Sequence, residues 1–205
     1  GSGYPTLDDP EGWGRLNLFA AADGYASFTG NVVVNMDAGK GGFNASDRWR
    51  NDIAGSGKLV KQGTGKLQLG GKNSFTGGVQ VEGGALEALT PAAFGAGDVY
   101  VAANGTVVAD ATAPVAITGK YTQLDDGTLE LRMGAASHVM NAGGAVTIGG
   151  GTLRIVFKNG YKPAAGTVLT VINAASLQGR FDTISADGVA VTPTYTDKGL
   201  QLRFG

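Results

Sequence analysis

The sequence predicts an all-β protein: a right-handed parallel β-helix (β-solenoid) with a short N-terminal helix and an antiparallel C-terminal cap. A glycine followed by a short aliphatic alternation recurs along the chain, and a second valine-rich strand precedes most copies. The 205 residues also include 36 glycines but only 6 prolines. Collagen needs glycine at every third position, and a flexible linker lacks the valine- and leucine-rich strands found between these glycines, so both are excluded.

The N-terminal element, residues 1–28, differs from the rest of the chain. Its stretch RLNLFAAADG predicts one short helix that ends at Gly24. We interpret residues 1–28 either as a linker from an upstream domain or as a cap that covers the open strand edges of the first rung.

The glycine-aliphatic phrase defines the repeat zone, residues 29–150. Its copies begin at intervals of 19, 21, 22 and 24 residues and read GKLQL from Gly65, GALEA from Gly84, GTVVA from Gly105, GTLEL from Gly127 and GTLRI from Gly151. Shorter strands precede most copies, namely VQV at 79–81, VYV at 99–101 and VTI at 146–148. A period of about 20 residues with two or three strands is typical of a solenoid, whose stacked rungs pair in parallel around one core.

The least regular stretch of the repeat zone is KGGFNASDRWRNDI at 40–53. Trp49 and Ile53 are expected to anchor it in the core. Its charged side chains are expected to stay in water: Arg48, Arg50 and Asp52.

The C-terminal zone, residues 151–205, has longer strands. The turn sequences NG, ADG and DKG predict hairpin-like connections between them. This zone is expected to be antiparallel and to close the far end of the stack.

Two other folds share part of the pattern. A leucine-rich repeat has a similar period, but it needs a fixed asparagine or cysteine ladder and a helical return, and neither is visible. A β-sandwich with strands every 8–12 residues also fits the spacing. The solenoid is favoured because the glycine-aliphatic phrase recurs in register.

Composition narrows the functional classes. A net charge of −1 does not provide the basic field of a nucleic-acid or anionic-membrane surface. Without cysteine, the chain has no disulfide, thiolate metal site or cysteine nucleophile. No apolar run approaches the ~20 residues of a membrane helix, and no secretion signal opens the chain. The sequence is therefore expected to be a piece of a longer protein.

Groups that could do chemistry are few. His138 has no serine or aspartate context, so we interpret it as a residue of a rung edge or turn. The acidic pairs Asp8–Asp9, with Glu11 nearby, and Asp125–Asp126 are interpreted as turn formers, because adjacent residues in a turn point apart. No catalytic residue, metal site or cofactor is predicted, and the chain is not expected to be an enzyme.

Lysines form a mild basic cluster within the repeat zone: Lys58, Lys61, Lys66 and Lys72. We interpret them as residues of solvated rung faces rather than as a polyanion site. None of the glycine-lysine pairs has the spacing of a phosphate-binding loop.

The stretch GSGKLVKQGTGKLQLGGKNSFTGGVQVEGGALEA, residues 55–88, resembles the autotransporter-associated β-strand repeat of Gram-negative type V secretion passengers. The positions that match this repeat are Leu59, Lys61, Gly63, Gly65, Leu67, Leu69, Asn73, Gly77, Gly78, Val79 and Leu86. Phe75 stands where the family usually has tyrosine. The stretches PAAGTVLTVINAASLQGRFDTI and GLQLRF are similar to the pertactin-like autochaperone region that ends such passengers.

The resemblance implies a structural stem that supports secretion and surface display of an upstream effector domain. Its implied partners are that domain and a downstream outer-membrane β-barrel of the same chain, with a host or neighbouring cell surface as a further option. It implies export through the periplasm and outer membrane to the cell surface. It also implies that the C-terminal zone folds first and templates each later rung. The inward cap residues expected to stabilise this template are Leu153, Ile155, Leu169, Val171, Ile172 and Phe181.

Two alternatives to the stem come from other functional classes. A surface adhesin or self-association module would expose an aromatic or apolar stripe. A polysaccharide-acting β-helix enzyme would line a groove with aspartates and aromatics. The N-terminal segment is also similar to the segment that follows an enzyme domain in some autotransporters, including a vanadium-haloperoxidase-like acid phosphatase domain.

Overall fold

The computed structural model describes residues 23–135 and 140–205, and this part of the chain folds as a parallel β-solenoid. The predicted all-β solenoid with an antiparallel C-terminal end is confirmed. The described strands are β1 (Ser27–Phe28), β2 (Val32–Asn35), β3 (Ser46–Trp49), β4 (Ala54–Gly55), β5 (Leu59–Gln62), β6 (Lys66–Leu69), β7 (Val79–Val81), β8 (Gly84–Ala88), β9 (Val99–Val101), β10 (Gly105–Ala109), β11 (Val115–Ile117), β12 (Tyr121–Gln123), β13 (Thr128–Met133), β14 (Met140–Ile148), β15 (Thr152–Phe157), β16 (Val168–Gly179), β17 (Thr183–Ala186), β18 (Val191–Thr196) and β19 (Gly199–Phe204).

The strands build two extended sheets. Sheet I has the order β18-β19-β16-β14-β12-β9-β7-β5-β2, and β11 also pairs with β14. Sheet II has the order β17-β15-β13-β10-β8-β6-β3, and β1 and β4 form a separate parallel pair. Each rung places one strand in sheet I, turns a corner and places the next strand in sheet II. Consecutive rungs therefore stack strand on strand, about 4.8 Å apart.

The glycine-aliphatic phrases stack in the register that their alignment predicts. Gly84 lies opposite Gly105 across the β8–β10 ladder. One inward column of sheet II contains, in rung order, Leu67, Leu86, Val107, Leu129 and Leu153. All five side chains are buried, and burying each one stabilises the fold by about 1.5–3 kcal/mol.

The strands that precede these phrases form the matching column of sheet I. Val79 pairs with Val99, Val99 with Tyr121, and Tyr121 with Val146. The predicted strands VQV, VYV and VTI are confirmed. Sequence analysis missed β12, because its residues YTQ do not have the valine pattern of the others.

The first rung contains an insertion between β2 and β3. A 3-10 turn spans Ala38–Lys40 and a one-turn helix, α1, spans Gly42–Ala45. Trp49 and Ile53 are buried as predicted. The predicted solvated residues are exposed: Arg48, Arg50 and Asp52.

The C-terminal end changes from parallel to antiparallel pairing. β17 still pairs in parallel with β15, whereas β19 pairs antiparallel with both β16 and β18. Of the three predicted turns, only DKG at 197–199 joins two paired strands, β18 and β19. The NG and ADG turns connect strands of different sheets, so a hairpin interpretation of them was wrong. The zone boundaries at residues 28 and 150 stay predictions.

Several sequence predictions fall on residues outside the described ranges. They are the N-terminal helix, His138, and the acidic group of Asp8–Asp9 and Glu11. Within residues 23–135 and 140–205, no helix has the length and apolar character needed to cross a membrane.

Candidate functional site

The C-terminal cap holds the residues that sequence analysis selected. Leu153, Ile155, Val171 and Ile172 are fully buried, and Phe181 is almost fully buried. Leu169 is partly buried and packs against the core. The ladder between β16 and β19 is irregular between residues 170 and 172. Such a bulge interrupts strand alternation, which explains why two consecutive residues, 171 and 172, both face inward.

Sequence analysis missed the other half of the cap core. β19 contributes Leu200, Leu202 and Phe204, each with no exposed surface. Leu202 lies opposite Leu169, and Leu200 lies opposite Ile172. The alternation in GLQLRF is the signal that could have identified these residues, because it places three apolar side chains on one face of a strand.

The outermost strand of sheet I is poorly suited to further pairing. β18 carries Pro193 opposite Leu202, and residues 192–194 are exposed. Proline lacks the backbone donor that an added strand would need, and edge strands with proline resist such additions.

An aromatic contact fastens the cap turn to this edge strand. The hydroxyl of Tyr195 accepts a hydrogen bond from the backbone N–H of Phe181 at 3.1 Å, and the guanidinium of Arg180 lies 4.9 Å from the centre of the Tyr195 ring. Burial raises the pKa of Tyr195 above its ordinary value, against smaller opposing effects of that hydrogen bond and the Arg180 charge.

The corner between β5 and β6 is held by a buried lysine. Lys61 points inward with no exposed surface, and its Nζ donates to the carbonyl oxygens of Gln62 at 2.7 Å, Gly83 at 3.3 Å and Gly63 at 3.4 Å. Burial lowers the pKa of Lys61 to about 8. The interpretation of Lys61 as part of a solvated rung face was therefore wrong.

Three rungs later, a glutamine makes a similar contact. Gln123 is fully buried, and its Nε2 donates to the carbonyl oxygens of Gly127 at 2.8 Å and Gly150 at 3.2 Å. Its Oε1 accepts a hydrogen bond from the hydroxyl of Tyr121 at 2.7 Å, and burial raises the pKa of that tyrosine. Both corners thus place a long inward donor against turn carbonyls that would otherwise be buried without partners.

A buried asparagine joins three rungs. The Oδ1 of Asn73 accepts from the backbone N–H of Ile53 at 2.9 Å, and its Nδ2 donates to the carbonyl oxygen of Ala93 at 2.6 Å. The rung before and the rung after are thereby fixed to the same side chain.

An ionic network covers the outer face of sheet II. We call it the ionic ladder, and it consists of Lys66, Glu87, Asp110, Glu130, Arg132, Arg154 and Lys158. The side chains of Glu87 and Glu130 are only 1% and 3% exposed, although both project outward from their strands. The basic side chains lie over them and are more exposed.

Arg132 is the central residue of the ionic ladder. Its guanidinium lies 2.5 Å from Glu87, 3.0 Å from Asp110 and 2.6 Å from Glu130. Glu130 also pairs with Arg154, Asp110 pairs with a lysine two rungs further on, and Glu87 lies 3.3 Å from Lys66.

The pKa values of the ladder follow from these contacts. Burial alone would raise the pKa of Asp110, but hydrogen bonds from Lys158 and Arg132 outweigh it and hold that pKa below its ordinary value. Burial alone would lower the pKa of Arg132, and its hydrogen bonds to Glu130 and Asp110 outweigh that effect and raise it.

The ionic ladder could have been found in the aligned sequence. The fourth residues of the glycine-aliphatic phrases form one outward column of sheet II: Gln68, Glu87, Val108, Glu130 and Arg154. Three of these residues, Glu87, Glu130 and Arg154, belong to the ionic ladder. Inspection of single phrases does not show that these side chains stack.

The described residues assemble no catalytic constellation. Asp125–Asp126 lies exposed in the turn between β12 and β13, as predicted. Within residues 23–135 and 140–205, no three side chains from histidine, cysteine, aspartate and glutamate are grouped to hold a metal ion.

Comparison with known proteins identifies the repeat. The family model described as Passenger-associated-transport-repeat matches residues 59–88, which extend from β5 to β8 and contain Lys61 and Asn73. The Neisserial autotransporter lipoprotein NalP of Neisseria meningitidis serogroup B is 41% identical over 81 residues, which are 39% of this chain and 7% of that protein. The chain is therefore similar to autotransporter passengers in this repeat.

Two further relatives are similar to longer parts of this segment. The Adhesin BmaC autotransporter of Brucella suis is 30% identical over 143 residues, covering 65% of the segment and 4% of the relative. The Serotype-specific antigen 1 of Mannheimia haemolytica is 28% identical over 185 residues, covering 87% of the segment and 18% of the relative. The segment thus spans less than a fifth of each relative's length.

The similarity to these proteins bears on where the segment is located. Autotransporter passengers are displayed on the cell surface or secreted through the outer membrane. The structure also explains why the repeat motif contains the polar residues Lys61 and Asn73: both side chains form hydrogen bonds with backbone groups at the corners of the rungs. The similarity of the N-terminal segment, residues 1–28, to the tail of an enzyme domain rests mostly on residues outside the described ranges and stays a prediction.

Proposed function

We propose that this segment is the stem and folding template of its passenger. The observation that carries the proposal is the change of pairing at the C-terminal end: parallel rungs lead into a hairpin that closes this end of sheet I. An interior rung can bury its apolar face only against a neighbouring rung. The C-terminal end has its own hairpin to pack against, so it can fold before the other rungs.

The template acts through stepwise addition. Once the cap core of Ile172, Leu200 and Leu202 is formed, each preceding rung pairs with an existing strand edge. This addition avoids the unfavourable closure of a rung in isolation. Folding outside the cell from the C-terminal end would favour passage of the remaining chain through the outer membrane.

The proposed partners are parts of the same polypeptide. An upstream effector domain would be carried by the stem, and a downstream outer-membrane β-barrel would deliver it. In this role the segment itself has no enzymatic activity.

The experiment is surface display of the full-length parent protein that carries Leu169→Asp. Leu169 is partly buried against the cap core, and a carboxylate at this position should destabilise the cap. Protease-accessible passenger on intact cells should therefore fall at least about tenfold while synthesis continues. The matched control is Val168→Asp, because Val168 lies next to Leu169 on the same strand but is 54% exposed. Equal display of both variants and the parent would refute the templating role.

An adhesin remains the second candidate, because one relative carries that name. The large apolar side chains that are exposed within the described residues lie on different elements: Tyr25 precedes β1, Val33 is on β2, Phe43 is in α1, Leu124 follows β12 and Val168 is on β16. Binding of the segment to whole host cells, measured with and without the upstream domain, would test this candidate.

A further inference from the structure

A notch interrupts the outer face of sheet I. Lys58, Gly78 and Asp98 stack on three neighbouring rungs, as shown by the hydrogen bonds from Leu59 N to Gly78 O and from Val79 N to Asp98 O. Gly78 has a φ of 82°, and a Cβ there would lie 2.5 Å from the carbonyl oxygen of Asp98. The backbone therefore requires glycine, and the side chains of Lys58 and Asp98 are separated by an empty position.

The notch has one aromatic wall. Gln80 and Tyr100 are register partners on adjacent strands, both project outward, and both line the notch. Tyr100 is half-buried, so part of its surface is accessible to a ligand in the notch. The volume is about 620 Å³, within the range of small-molecule sites.

Polar groups converge on this space without partners among the described residues. The ammonium of Lys58, the hydroxyl of Thr76 and the phenol of Tyr100 line the notch, and none of them has a side-chain hydrogen bond within residues 23–135 and 140–205. One carboxylate oxygen of Asp98 accepts from the backbone N–H of Lys120 at 2.7 Å, which leaves its other oxygen available.

We propose that this notch binds one or two neutral sugar units of a glycan. A sugar ring has an apolar face that stacks on an aromatic ring and hydroxyl groups that both donate and accept hydrogen bonds. Tyr100 supplies the ring, Asp98 accepts from hydroxyls, and Lys58 donates to them. The opposite charges of Lys58 and Asp98 favour a neutral ligand over an anion. This binding activity goes beyond the stem role and does not depend on it.

The test is a titration of the ¹⁵N-labelled chain with cellobiose, lactose and chitobiose, followed by amide chemical shifts. Each sugar is raised to about 10 mM, ten times a dissociation constant of ~1 mM. At least one sugar should shift amides clustered in residues 76–80 and 96–100. Tyr100→Ala should weaken that binding at least about tenfold, and Tyr100→Phe should retain it within about threefold, because the ring face remains.

The matched control is Thr122→Ala, since Thr122 is the register partner of Tyr100 on the next rung but does not line the notch. It should bind like the parent. The dispersion of the amide spectrum shows whether each variant is folded. Absence of clustered shifts with all three sugars would overturn the proposal, as would undiminished binding by a folded Tyr100→Ala variant. Tighter binding of a sulfated disaccharide than of any neutral one would also overturn it, in favour of an anion site at Lys58.

Discussion

Removing the central cation of the ionic ladder should destabilise the solenoid far more than removing an ordinary surface arginine. In Arg132→Met the alkyl stem is kept, so the loss is that of three charge-assisted contacts. Two of these contacts reach Glu87 and Glu130, which are almost fully buried, and the third reaches the more exposed Asp110.

The size of the effect can be worked from these contacts. Hydrogen bonds to charged groups contribute about 1.5–3 kcal/mol each. Glu87 and Glu130 each keep a second cation, Lys66 and Arg154 respectively, so the lower value applies to both. The contact to Asp110 is discounted because it is more exposed. The free energy of unfolding should fall by about 3 kcal/mol.

The assay is equilibrium urea denaturation of the 205-residue chain, followed by circular dichroism. With a slope of about 3 kcal/mol/M, the midpoint should fall by about 1 M. Arg154→Met is the matched control: Arg154 is 53% exposed and, among residues 23–135 and 140–205, forms an ion pair with Glu130 alone, so its loss should cost about 1 kcal/mol or less. Equal losses in the two variants, or a loss below about 0.5 kcal/mol in Arg132→Met, would show that the ladder carboxylates do not depend on Arg132.

Three further predictions concern buried positions of the rungs. The pKa of Lys61 is lowered to about 8 in the folded protein, so the unfolded chain binds more protons than the folded chain above that pH. The free energy of unfolding of the parent, relative to that of Lys61→Gln, should therefore rise by about 1–2 kcal/mol between about pH 7 and pH 9.5. A constant difference in urea midpoints between the two proteins would contradict this. Asn73→Ala leaves a buried N–H and a buried C=O without partners and should cost about 2–4 kcal/mol in urea denaturation, whereas the exposed Asn173→Ala should cost less than about 1 kcal/mol. Gly179→Ala should lower the thermal midpoint much more than Gly188→Ala. Both glycines have positive φ, but a Cβ at 179 would lie 1.8 Å from the carbonyl oxygen of Ile148, whereas a Cβ at 188 would meet open space. Similar midpoints for the two variants would argue against the close contact between Gly179 and Ile148.

The rung register could be predicted from the sequence because it depends on spacing alone. Inward leucines and valines recur at the same place after each glycine, and parallel stacking is the arrangement that buries all of them. The aligned phrases from Gly65 to Gly151 therefore correspond to observed strand partners. β12 escaped notice because Tyr121 replaces the valine that marks its neighbours.

The buried polar residues could not be predicted, because their residue types are usual at the surface whereas their positions in the strands point inward. Lysine is usually a surface residue, and only the alternation of β5 indicates that Lys61 points inward. Its carbonyl partners come from two different rungs, which a single repeat does not contain. The burial of Glu87 depends on Arg132, which is 45 residues away.

The ionic ladder has a polarity along the solenoid axis. Glu130, Asp110 and Glu87 follow one another on successive rungs towards the N-terminal end, and each has a cationic partner on a rung closer to the C-terminus. If rungs accumulate from the cap backwards, every arriving carboxylate meets a positive charge already in place. In the opposite order, Asp110 would be added before either of its partners, Arg132 and Lys158, existed on the growing end. The electrostatics of one face thus make the two directions of assembly unequal, and the direction that they favour is the folding order proposed for the cap.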